Sequence, residues 1–180
     1  MTCSPFTNRH PHQCIIILNA PCPPYRASHA IHNTSTFHLT STETAETTIA
    51  FHAYHSTDPF SVAAHGTIVY NAVTTNIGNA YDPKNGFFTA PVSGAYVFFV
   101  NCMSTASKSE EPSILVNGSV VATCFSNMPQ GSPYEQGGTL TTVHLNRGDK
   151  VWVRLLENAE NVRGNRWNTF SGFLVRADSQ

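Results

Sequence analysis

The stretch "GNAYDPKNGFFTAPVSGAYVFFVN", residues Gly78–Asn101, decides the fold. Its first half is turn chemistry: Asp82-Pro83 and Asn85-Gly86 are turn formers. Its second half, from Gly94 on, is apolar at almost every position. In an extended strand alternate side chains face opposite sides. One parity gives Ala95, Val97 and Phe99; the other gives Tyr96, Phe98 and Val100. In a two-layer sandwich one face of such a strand meets the opposite sheet, and the outer face is normally polar. Here both faces are apolar, so the outer one needs a cover. The run around Val151, Val153 and Leu155, set against Trp152 and Leu156, poses the same question.

The same kind of sequence continues on both sides. From Thr47 to the end, short β-rich runs recur between Gly, Pro, Asn and Asp: "TTIAFHAY", "GTIVYNAV", "GFFTA", "GAYVFFVNCMST", "SILVN", "SVVATCF", "TLTTVHL", "KVWVRLL" and "TFSGFLV". Many short strands with turn signals between them predict an all-β sandwich or barrel. Asn117-Gly118 sits between two apolar runs, the signature of a two-residue hairpin. Asn85-Gly86 and the turn at Arg147-Gly148-Asp149 mark further reversals.

Residues 1–46 have another character. They hold Cys3, Cys14, Cys22 and five of the nine histidines, followed by the Ser/Thr-rich tract "HNTSTFHLTSTETAETT". That tract has no apolar period and cannot bury enough surface to offset its ordering entropy, so a poorly ordered tail is expected. The domain division is therefore 1–46 as extension and 47–180 as globular head. His10-Pro11-His12 has ligand-like spacing, but Pro11 and the lack of a structured ligand shell argue against a metal there. "CIIILNA" (14–20) is far short of the roughly 18 apolar residues of a membrane span. It is also short for the apolar core of a signal peptide, so no clear signal is seen.

Composition narrows the function. Of 180 residues 41% are hydrophobic but only 12% are charged, and the net charge is −1. No basic stripe offers a footprint for nucleic acid or for an anionic membrane, and no membrane insertion is expected. So few charges solvate an outer sheet face poorly. Other subunits are the economical cover, because the tail is too polar to serve. Catalysis is not expected: there is no Gly-x-Ser-x-Gly elbow, no Cys-x-x-Cys pair and no phosphate-cradling glycine loop. His52 and His55, three apart, would face opposite sides of one strand. Arg147-Gly148-Asp149 spells an adhesion tripeptide, but a turn explains it better.

Four motifs, in order, resemble the globular C1q domain over about Thr47 to Ala177: "AFHAY", "GNAYDPKNGFFTAPVSGAYVFF", "LNRGDKVWVRL" and "TFSGFLV". The resemblance implies a jelly-roll β-sandwich of about ten strands, of the C1q and tumour-necrosis-factor kind, assembled as a homotrimer with aromatics in the core and at subunit contacts. With no collagen repeat, the chain looks like the collagen-free C1q-domain proteins of invertebrates. It implies a secreted, lectin-like pattern-recognition protein of innate immunity that binds glycans or microbial surface components. A trimeric signalling ligand of the tumour-necrosis-factor type, or a structural head without a ligand, are the alternatives.

Candidate sites follow from residue chemistry. Sugars are held by aromatic faces and planar polar groups. Tyr134, Glu135 and Gln136 are expected in a loop after "NMPQGSP", and Arg163, Arg166 and Trp167 in the loop "VRGNRWN" before the last strand; if both loops project from one end of the sandwich they form a shallow polar and aromatic site. Some C1q-domain proteins bind calcium in loops, and here Glu157, Glu160 and Asn161 offer oxygens; the resemblance implies calcium as the one candidate cofactor, with a plain solvated loop as the alternative. Asn33 and Asn117 head glycosylation sequons, Asn117 being explained as well by its turn. Cys102 and Cys124 lie near the ends of strands flanking a hairpin and are expected to approach one another, as a disulfide or as two buried thiols.

Overall fold

A computed structural model describes residues 47–105, 109–127, 134–156 and 159–179. The chain order is β1 (Ala50–His55), β2 (Phe60–Val62), β3 (Ala72–Ile77), β4 (Tyr81–Asp82), β5 (Phe87–Thr89), β6 (Gly94–Thr105) and β7 (Ser109–Glu110). It continues with β8 (Pro112–Val116), β9 (Ser119–Thr123), β10 (Ser126–Asn127), β11 (Tyr134–Leu145), β12 (Lys150–Leu155), β13 (Ala159–Val162) and β14 (Asn165–Ala177). Ten of these strands make two five-stranded antiparallel sheets, ordered β11-β6-β14-β1-β3 and β4-β5-β12-β8-β9; β10-β7 and β13-β2 form short extra pairs. This is the all-β sandwich that the sequence predicts. The expected tail, residues 1–46, lies outside the described residues.

The two parities of β6 take opposite fates. Tyr96, Phe98, Val100 and Cys102 are fully buried between the sheets, whereas Phe99 on the other parity is 39% exposed. The core is aromatic. Phe51 of β1 stacks on Tyr81 at 4.7 Å and on Phe88 at 5.4 Å, and meets Phe170 edge-on at 4.9 Å. Phe88 in turn meets Phe98 edge-on at 5.1 Å. These contacts tie β1, β6 and β14 of one sheet to β4 and β5 of the other. Aromatic pairs of this kind contribute about 0.5–1.5 kcal/mol each beyond their buried area.

Two glycines show why the motif residues are what they are. A Cβ at Gly172, in "FSGF", would lie 2.5 Å from Phe98 Cδ1 and 2.7 Å from Phe51 Cε1, so only hydrogen fits beneath those rings. At the β8–β9 hairpin Asn117 and Gly118 have φ of 49° and 95°, the two positive values that a type I′ turn requires.

One expected strand is displaced. "GTIVYNAV" reads as a strand from Gly66, yet the ladder begins only at Ala72. Ile68 and Tyr70 are nonetheless buried. They belong to a crossing segment held by Ile68 N–H to Val153 O at 2.9 Å, an isolated bridge between Thr67 and Arg154, and Tyr81 O–H to Tyr70 O at 3.0 Å.

Candidate functional site

The outer face of the first sheet is built by register. Leu140, Phe99, Ser171, His52 and Thr75 form one continuous row across β11, β6, β14, β1 and β3. The next row is Thr142, Val97, Phe173, Ala50 and Ile77. Phe99, Leu140, Phe173 and Ile77 are all exposed, Leu140 by 61%. Such a clustered apolar face differs from apolar residues scattered singly over a surface. Beside it runs a second apolar area. The strand β9, an edge of the other sheet, exposes Val120 and Val121, and Phe125 follows, also exposed.

The predicted ligand residues gather in part. Residues Tyr134–Gln136 open β11, and Arg166 and Trp167 open β14, rather than standing on loops. Pairing explains this: β6 runs on to Thr105 and carries Tyr134 into its ladder. Gln136 pairs with Met103 of β6, while Asn101 of β6 donates its side-chain N–H to Trp167 O at 3.2 Å. Gln136 and Trp167 therefore flank β6 at the same end of the sheet. Trp167 is 46% exposed, and the Arg166 guanidinium lies 5.2 Å from the Tyr54 ring centre, a cation–π pair. Glu135 turns inward: its Oε2 is buried without a hydrogen-bond partner among the described residues. Of Tyr134 only the backbone is described.

Arg163 has another occupation. Its Nε and Nη2 donate to the two Asp58 oxygens, each at 2.8 Å, and Gly164 N–H adds a third bond at 2.9 Å. The Arg163 hydrogen bonds hold the Asp58 carboxyl below its usual range. This bidentate pair fastens the segment before β14. Sequence reasoning missed Asp58, which lies 105 positions away.

Of the suggested calcium ligands, Glu157 lies outside the described residues, and only the backbone of Glu160 and Asn161 is described, in β13. Among the described residues no three His, Cys, Asp or Glu side chains are grouped to hold a metal. Asn33 also lies outside the described residues. Asn117 is fully engaged: its Oδ1 accepts from Lys150 N–H at 2.9 Å and its Nδ2 donates to Asp149 Oδ1 at 2.9 Å. The other oxygen of Asp149 accepts from Asn146 N–H at 2.8 Å, and the Asn117 bond is the first reason its carboxyl sits below the usual range. Cys102 and Cys124 are buried free thiols whose Sγ atoms lie 2.6 Å apart.

The described residues thus form a two-sheet antiparallel sandwich whose first sheet carries apolar side chains on its outer face. The sequence model of the C1q domain matches residues 50–175, and the chain belongs to that family. Among curated proteins it is 36% identical over 109 residues to "Complement C1q tumor necrosis factor-related protein 3" of Mus musculus and of Homo sapiens, covering 60% of this chain and 44% of each relative. It is 34% identical over 115 residues to "Caprin-2" of Danio rerio, covering 62% of this chain and 12% of the relative. The chain thus spans less than half the length of these relatives. Among solved structures it superposes on the globular domain of zebrafish complement 1qA with a TM-score of 0.60 at 17% identity, covering 72% of this chain and 99% of the other. For the Eiger TNF of S. frugiperda the values are 0.58 and 12%, covering 74% and 96%. For murine APRIL they are 0.57 and 14%, covering 71% and 98%. No helix among the described residues is long and apolar enough to cross a membrane.

Proposed function

We propose that the protein is a secreted, non-enzymatic recognition head, folded over residues 47–180, that works as a homotrimer and binds glycans or microbial surface components. The observation that carries the reading is the apolar outer face of the first sheet, with Phe99, Leu140, Phe173 and Ile77 exposed in a single copy. A closed ring of three needs two different complementary surfaces on each copy, since its contacts are head-to-tail. The chain offers two: this face, and the edge bearing Val120, Val121 and Phe125. A second copy's edge seated on the face covers both.

The ligand end is the aromatic and planar-polar group of Trp167, Arg166 and Gln136, with Arg163 bracing it through Asp58. Tyr134 completes the proposed contact set, with Glu135 turned inward behind it, and Glu157, Glu160 and Asn161 remain the proposed calcium ligands. A glycan array probed with the full chain, with and without calcium chloride, tests this. The expected result is binding that Trp167→Ala weakens tenfold or more, the loss of one aromatic stacking contact. An array on which no glycan is retained overturns the lectin reading. The second reading, a receptor-gripping signalling ligand, is favoured by the likeness to Eiger TNF and APRIL. A panel of purified receptor ectodomains separates the two.

A further inference from the structure

His52 lies in the middle of the face just described, with Ser171 on one side and Thr75 on the other. Phe99 is two places along the same row, and Ala50, between Phe173 and Ile77, is directly below. Any partner that covers Phe99, Phe173 and Ile77 must also cover the imidazole. Its Nδ1 is linked to Ser171 Oγ at 2.7 Å, which fixes the ring in place.

We propose that His52 makes assembly acid-labile: the trimer closes over a neutral imidazole and comes apart when that ring is protonated. This rests on the reading of the face as the subunit contact. The groups that face His52 explain the direction. On β14 they are Ser171 and the cation Arg166; on β3, Thr75; on β6, Phe99; on β11, Leu140. No carboxylate is among them. The seated edge, Ser119–Phe125, adds only Ser, Val, Ala, Thr, Cys and Phe. A charged ring in that setting loses its water and gains a like charge, with nothing to compensate it.

Already in the single copy the His52 pKa lies below its ordinary value, first through burial and then through Arg166. A lowered pKa means that the neutral form is favoured, so the contribution is present at higher pH and is lost as pH falls through the ordinary range near ~6.5. Covering the ring deepens the burial. Each trimer carries three such rings and takes up three protons on falling apart. Its dissociation constant therefore rises by up to about 1,000-fold per pH unit below the free protomer's pKa.

A second described histidine lies on β11 of the same sheet, away from the row that holds His52. This residue, His144 at the end of β11, has its Nε2 3.0 Å from Asp178 Oδ2. It is the internal control.

The test is sedimentation velocity of the full 180-residue chain at pH 7.5 and pH 5.0, with circular dichroism to confirm that the fold persists. The wild type is expected as trimer at pH 7.5 and monomer at pH 5.0. His52→Asn, which keeps a polar atom near Ser171 but does not titrate, is expected as trimer at both. His144→Gln is expected to retain the acid response. A wild type that stays trimeric at pH 5.0, or a His52→Asn chain that still dissociates there while folded, overturns the role of His52 and leaves the subunit face standing. A monomer at pH 7.5 overturns the subunit face and this inference together.

Discussion

Among the described acids, Glu110 is the one most at odds with its surroundings. It is only 4% exposed, and burial pushes its pKa up to about 8, with an opposing contribution from Asn168. An acid whose folded pKa is raised is fully accommodated below its unfolded value, while it is neutral in both states. As pH rises from there towards 8, the unfolded chain ionises and the folded one does not. Each unit of that interval removes about 1.4 kcal/mol of stability. The melting temperature is therefore expected to fall between pH 5 and pH 8 and to level off above it. Glu110→Gln, which is neutral throughout, should flatten that slope in a calorimetric series. A wild-type slope that persists in the variant would locate the titration elsewhere.

At the scale of elements, the strands were legible where their own residues decide them, and obscure where a distant partner does. The β8–β9 hairpin is local: Asn117-Gly118 dictates it, and the positive φ values follow. The long β6 announces itself by apolar length. By contrast, "GTIVYNAV" reported the burial of Ile68 and Tyr70 but not the ladder, because alternation records which side chains are buried and not which backbone they bond. The short strands β2, β7, β10 and β13 have no pattern of their own and exist through pairing. The site divides in the same way. Parity alone exposed the two-faced strand, whereas the Arg163–Asp58 pair and the position of His52 depend on contacts more than 100 residues apart. The two cysteines were legible as neighbours because β6 and β9 flank one hairpin unit. In protein secreted into an oxidising medium a Cys102–Cys124 crosslinked peptide is expected in a non-reducing map. Closing that loop contributes roughly 3 kcal/mol in the chain-entropy account, so reduction should lower the melting temperature. Two thiols that both alkylate freely in the folded, secreted protein would refute the bond.

For the whole molecule, adjacent phenylalanines separate folding from assembly. Phe98 is fully buried and meets Phe51, Phe88 and Phe170, whereas Phe99 is on the outer face. Phe98→Asp places an unpaired charge in the core and is expected to abolish the fold, at a cost well above the few kcal/mol of a typical substitution. Phe99→Asp places the same charge on the subunit face and should give a folded monomer by circular dichroism and sedimentation. A folded Phe99→Asp trimer would mean that the face is covered in some other way.

The possession of two separate apolar surfaces by each chain has a genetic consequence. A chain damaged on its face alone still has an intact edge to dock with, and so can enter a ring that it then prevents from closing. In a cell making equal amounts of wild-type and Phe99→Asp chains, only about one ring in eight would be drawn wholly from sound copies. Such an allele would act dominantly, whereas Phe98→Asp, which removes the chain before it can dock, would be recessive. Co-expression of differently tagged copies would tell the two inheritances apart: the face variant should pull wild-type trimer down with it, and the core variant should leave it untouched.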